Sequence, residues 1–110
     1  MFGNGVPETG VTEVPEDGYL LDVREDDEWS AGHAPRAVHV PLGRLDERAD
    51  DIPRDRKVYV VCRAGGRSAQ AAAALNRAGW DAVNVSGGMQ AWERAGLDMV
   101  ADTDGEPRVI

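Results

Sequence analysis

The segment from Lys57 to Ala78 constrains this chain more than any other. Lys57-Val58-Tyr59-Val60-Val61 is β-branched and aromatic over its apolar length, and predicts a strand covered on both faces. Ser68 to Ala78 is alanine-rich with high helix propensity throughout, and Gly79 stands where a C′ glycine ends a helix. Between them lies the short stretch Cys62-Arg63-Ala64-Gly65-Gly66-Arg67-Ser68. A strand, a tight glycine-bearing loop and a helix in that order form half of a parallel crossover unit. The alanines allow that helix to approach a sheet closely.

The rest of the chain repeats the alternation. Val11 to Val14 predicts a short edge strand, and Tyr19 to Val23 a strand buried on both faces. The acidic cluster Glu25, Asp26, Asp27 and Glu28 suits the positive end of a helix dipole, so it opens a short helix carrying Trp29 and stopped by Gly32. Ala37 to Val40 predicts a strand and Leu42 to Asp50 a short helix, with Leu42, Leu45 and Ala49 on one face. Trp80 to Val85 predicts a further strand and Met89 to Ala95 a helix closed by Gly96. Such alternation predicts an α/β, three-layer architecture, with a mostly parallel sheet flanked by helices on both faces and joined by right-handed crossovers. The expected organisation is a flexible lead over residues 1–10, one domain over residues 11–100, and a loosely held tail over residues 101–110. At 110 residues there is room for one core.

Charge and cysteine content narrow the function classes. Twelve basic residues stand against twenty acidic ones, a formal charge of −8. That balance repels phosphate backbones and anionic headgroups, which argues against nucleic-acid and membrane-surface partners. No apolar run approaches the roughly 20 residues of a spanning helix, and the first residues lack the form of a signal peptide. Cys62 is the only cysteine, so no intramolecular disulfide exists, and with His33 and His39 alone beside it a closed zinc site would need carboxylates. A reducing, cytoplasmic setting is expected.

In open parallel sheets, sites gather at the carboxyl ends of the strands, which is where Cys62 falls. Glycines permit the positive φ angles of a backbone nest, a helix N-terminus follows directly, and Arg63 and Arg67 add cations. All three influences favour thiolate, so a Cys62 pKa below the free value of about 8.5 is expected. Each feature alone suits a buried structural cysteine; together they indicate a nucleophile able to hold an anion.

Cys62 to Ser68 resembles the C-x-x-G-x-R-S active loop of the rhodanese (thiosulfate sulfurtransferase) family. Leu20 to Glu25, Glu28-Trp29 and Gly32-His33-Ala34-Pro35 resemble that family's first signature segment, continued by Val40-Pro41-Leu42. Gly87 to Trp92 with Ala95-Gly96-Leu97 resembles its closing segment, and the likeness spans about Val11 to Val100. It implies a five-stranded sheet, Cys62 as sulfur carrier, and a binding loop of Arg63, Ala64, Gly65, Gly66, Arg67 and Ser68. It implies ping-pong transfer of sulfane sulfur from thiosulfate, or from a persulfide donor, to cyanide or a thiol, with a protein acceptor as a further partner. No metal or organic cofactor is implied. An alternative is a sulfur-carrier or interaction module that receives persulfide from a partner protein.

Within that likeness, only residues 63–66 separate Cys62 from Arg67, one fewer than in the related cysteine phosphatases, so the ring suits one sulfur atom better than a phosphate. Arg67 is expected to pair with Asp22 or Glu25, Arg63 to face the substrate, and Asp22, Arg24 and Glu25 to support the loop. His33 is expected to be buried and hydrogen-bonded, His39 to lack a chemical role, and Met89 and Trp92 to belong to the core. Two departures stand out: Arg36 occupies a usual glycine position, and Gly66 replaces a larger side chain, thinning the pocket wall.

Overall fold

The computed structural model describes residues 5–110; the first four residues of the expected lead lie outside the described residues. Five parallel strands, β1 (Glu8–Thr9), β2 (Tyr19–Asp22), β3 (Val38–His39), β4 (Val58–Val61) and β5 (Ala82–Val85), form one sheet in the order β1-β5-β4-β2-β3. Helices α1 (Asp26–Ala31), α2 (Leu45–Arg48), α3 (Gly66–Arg77) and α4 (Gly88–Arg94) complete the three layers.

Strand alternation divides the core. Leu21, Val23, Val58, Val60 and Cys62 face α2 and α3, joined by Ala71, Ala72, Leu75 and Trp80. Leu20, Val61 and Val85 face the opposite way, towards Met89 of α4. The alanines of α3 lie against the sheet as expected, with Ala71 and Ala72 buried. Leu42 to Asp51 splits into two 3-10 turns around α2, yet keeps its expected apolar face: Leu45 is buried and Leu42 and Ala49 pack beside it.

The edge strand is not at Val11 to Val14. Val11–Glu13 forms a 3-10 turn that drops Val11 into the core, and the edge strand is Glu8–Thr9, inside the segment expected to be a lead. Its ladder is made by Pro7 and Thr9, whose carbonyls accept the N–H groups of Asn84 and Ser86 at 2.9 and 2.8 Å. Two residues carry too little periodicity to announce a strand; the open edge of β5 recruits them.

The tail differs from expectation too. His33 and Val100 exchange two backbone hydrogen bonds of 2.9 Å, Asp102 N–H donates to Ser30 O, and Arg108 N–H donates to Ala31 O. The tail therefore straps α1 and continues to α4, where Val109 N–H donates to Glu93. Its close approach depends on Gly32, where a Cβ would lie 2.4 Å from Arg108 O and 2.7 Å from Met99 Cε. The Gly32 backbone is extended (φ 172°), so space alone is at issue. Gly32→Ala is expected to lift the strap and cost about 1–3 kcal/mol, read as a lowered Tm with earlier proteolysis after Val100.

Candidate active site

Cys62 follows β4 directly and sits at the carboxyl end of the sheet, where the chain turns into α3. Gly65 adopts φ +116°, a conformation that turns its N–H inward to Cys62 Sγ at 3.1 Å. Ser68 in the first turn of α3 adds its N–H at 3.3 Å and its hydroxyl at 3.2 Å. Burial pushes the Cys62 thiol up, but the Ser68 hydroxyl and the N–H groups of Ser68, Gly65 and Ala64 outweigh it, and the net direction is down. The residue is only 1% exposed, so the sulfur lies at the floor of the loop.

A second glycine braces the loop from α4. Gly88 has φ +57°, and a Cβ there would stand 2.3 Å from Cys62 O. This contact lets Met89 and Gln90 donate their N–H groups to Cys62 O and Arg63 O at 2.8 and 3.0 Å. The Met89 side chain itself is buried core, and half-buried Trp92 packs alongside. Gly66 opens α3 facing open space, and the Arg36 side chain donates to Glu16 O at 2.9 Å while Ala37 N–H closes the turn on Ala34 O at 3.1 Å.

Arg67 pairs with neither Asp22 nor Glu25. Its guanidinium forms a bidentate pair with Glu28, at 2.8 and 2.9 Å. Glu28 also accepts the N–H of Glu25 at 2.9 Å, so one carboxylate closes the N-terminus of α1 and anchors the loop. Glu25 is exposed and serves as the residue preceding the helix. Asp22 is fully buried and binds Arg24, with Nη2 to Oδ2 at 2.7 Å and Nε to Oδ1 at 2.9 Å. Arg24, expected to support the cysteine loop, instead ties to α1, donating also to Glu28 O and Gly32 O. Arg63, expected to face substrate, donates through Nε to Ile110 O at 2.9 Å. With the Gln90 amide oxygen turned to it, Nη1 and Nη2 donate at 2.9 and 3.2 Å.

The Arg67 hydrogen bonds hold Glu28 below its ordinary value of 4.5, despite burial, and Ser86 and Asn84 hold Glu8 low likewise. A carboxyl lowered in the folded state adds stability above its unfolded value, and that stability is lost as pH falls through the folded one. Tm is therefore expected to stay level from neutrality to about pH 5 and fall below it. Glu28→Gln should flatten that acid limb while lowering the neutral plateau, as followed by thermal melts across pH.

The histidines do not reach the sulfur. His33 and His39 sandwich Trp29, with ring centroids 3.6 and 4.7 Å away, and their ring nitrogens face Trp29 O and Arg24 O at 2.7 Å. Among the described residues no group of three or more His, Cys, Asp or Glu could hold a metal ion. A cleft of about 530 Å³ lies elsewhere, lined by Val11, Leu20, Pro35, Trp92 and others but by no residue of the loop.

Three supporting residues escaped the reading of the sequence: Glu28 as the partner of Arg67, Asn84 and Glu8. Asn84 had a signal, being the one polar residue within an apolar strand. Its Oδ1 lies 2.6 Å from Ser68 Oγ, and its Nδ2 reaches Glu8 from β1 at 3.2 Å.

The chain is similar to known proteins in sequence and fold. Residues 10–95 match the family model described as a rhodanese-like domain. A sulfurtransferase of Allochromatium vinosum is 42% identical over 87 residues, covering 78% of this chain and 81% of that one. A rhodanese-related protein of Thermoplasma volcanium superposes with TM-score 0.81 at 32% identity, covering 86% of this chain and 97% of that one. A rhodanese-like domain protein of Staphylococcus aureus gives TM-score 0.78 at 31% identity, covering 84% and 97%. With a family model matched over residues 10–95 and a relative 42% identical across most of both chains, the chain belongs to the rhodanese-like family.

Proposed function

We propose that this protein is a sulfurtransferase in which Cys62 carries sulfur as a persulfide. The observation that carries the reading is the convergence of Gly65 N–H, Ser68 N–H and Ser68 Oγ on one sulfur, at 3.1, 3.3 and 3.2 Å. Donors held in this way stabilise a thiolate without reorganising, and the same loop can receive the charge of a terminal persulfide sulfur. In the forward step the thiolate attacks the outer sulfur of thiosulfate. A Cys62 S–S bond forms, the S–S bond of thiosulfate breaks, and its electron pair leaves with sulfite. Cyanide or an acceptor thiolate then attacks the outer sulfur, and Cys62 departs as thiolate. No oxidant is consumed. A free reactive cysteine fits a reducing, cytoplasmic setting.

Intact mass spectrometry tests this directly. Incubation with thiosulfate should add about 32 Da, one sulfur, and cyanide should remove it as thiocyanate. No gain from any sulfane donor overturns the reading.

One observation favours a protein donor over thiosulfate. Both arginines of the loop already have partners in the chain, Arg67 in Glu28 and Arg63 in Ile110 O and Gln90. The Arg67 charge is thus already compensated, which leaves a small dianion only the exposed Arg63 guanidinium, in a protein of net charge −8. Mass gain from a persulfidated protein but not from thiosulfate would select this carrier role.

A further inference from the structure

The hydroxyl of Ser68 has one proton and two acceptors. Its Oγ stands 3.2 Å from Cys62 Sγ and 2.6 Å from Asn84 Oδ1. Ser68 is fully buried and Asn84 is 2% exposed, so bulk water does not supply another donor. The Asn84 amide has one orientation: Nδ2 donates to Glu8 Oε2 and to Gly65 O, both at 3.2 Å. Turned over, its oxygen would face a carboxylate and a carbonyl. Oδ1 is thus presented to Ser68 as a pure acceptor.

We propose that Asn84 is a positioning residue for Cys62, competing with the thiolate for the single Ser68 proton and so raising the basicity and nucleophilicity of the sulfur. The proposal deepens the sulfurtransferase reading and rests on it for its place in the reaction.

Its consequences differ among the states of the sulfur. With a thiol, S–H donates to Ser68 Oγ and Ser68 donates to Asn84, and the chain is complete. With a thiolate the chain is one proton short. If Ser68 turns to sulfur, two oxygens face each other across 2.6 Å with no proton between them. If Ser68 keeps Asn84, the sulfur retains backbone donors alone. In a persulfide the charge moves to the outer sulfur and the inner sulfur is neutral, so Ser68 returns to Asn84. Asn84 therefore raises the free thiolate relative to both thiol and persulfide, which favours attack and loading.

The charged groups around Cys62 are few. Arg67 of α3 faces it while paired with Glu28 of α1. Arg63 follows it in the loop, and Glu8 of β1 acts through Asn84. At the end of β2, Asp22 and the following Arg24 neutralise each other. Asn84→Val changes no charge, so a shift in Cys62 titration on that substitution reports the hydroxyl.

The experiment reads the pH midpoint of Cys62 alkylation by iodoacetamide, scored by intact mass; with one cysteine in the chain the signal is unambiguous. Asn84→Val should lower the midpoint by about one unit, since a hydrogen bond to a charged acceptor is released to the sulfur. The limiting rate of the ionised form should fall about threefold, following the reduced basicity. Ser68→Ala should raise the midpoint, and Asn84→Val in the Ser68→Ala background should leave it where Ser68→Ala put it. If Asn84→Val does not melt cooperatively, Asn84→Ala replaces it. An unmoved or raised midpoint in the single variant, or a shift that survives without the Ser68 hydroxyl, overturns the proposal. Because no sulfur donor is present, the midpoint judges Asn84 separately from sulfur transfer, which the thiosulfate mass experiment judges.

Discussion

Cys62→Ser is expected to take up no sulfur and to lower transfer by at least about a thousandfold. Serine retains the size and the hydrogen-bonding position of the side chain, so Gly65 and Ser68 keep an acceptor and the loop keeps its form. What it lacks is an anion near neutrality. Donors facing the sulfur from inside a buried loop favour its ionised form; an alcohol in the same place stays protonated and forms no persulfide. Intact mass after exposure to thiosulfate and to a persulfidated thiol measures uptake, and thermal melting confirms an unchanged fold. Sulfur gained by the serine variant would place the carrier elsewhere and remove Cys62 from the reaction. The same comparison separates sulfur chemistry from a purely structural cysteine, whose replacement would change Tm more than activity.

The largest loss of stability is expected at Arg24. Replacing it with methionine keeps the bulk and removes the guanidinium, leaving Asp22 fully buried with its carboxylate unpaired. Breaking a buried pair from one side costs about 3–5 kcal/mol. The damage extends to α1, because Arg24 also donates to Glu28 O and Gly32 O, at 3.3 and 2.8 Å. Glu28 in turn anchors Arg67, so the cysteine loop should loosen as α1 does. Denaturant melts measure the change. The double variant Asp22→Leu with Arg24→Met should recover part of the loss, since no lone charge remains buried. A single Arg24→Met variant as stable as the parent protein would show that Asp22 reaches water or a proton when unpaired.

The loop was legible because it lies within seven consecutive residues. Cys62, Gly65 and Ser68 meet through local turn geometry, and the glycine, the strand before it and the helix after it all register in the sequence. Asp22 ends β2 and Arg24 follows it by two residues, so their mutual pairing is a local event too. The partner of Arg67 was not readable. Glu25 and Glu28 sit in the same acidic run, and choosing between them requires knowing which side of α1 turns to the loop. Arg63 looked unpartnered because its partners, Gln90 and Ile110, lie 27 and 47 residues away.

Periodicity and propensity along the chain determined the alternation of strands and helices, the layered α/β class and the position of Cys62 at a strand end. These follow from interactions within about one helical turn or one loop, where neighbours in sequence are neighbours in space. Tertiary structure alone decided that Glu8–Thr9 closes the sheet edge, that the tail straps α1, that Glu28 holds Arg67, and that Asn84 faces the Ser68 hydroxyl. Each of these is a pairing between distant segments, selected because a buried or edge polar group left unpaired costs more free energy than ordering the segment that satisfies it.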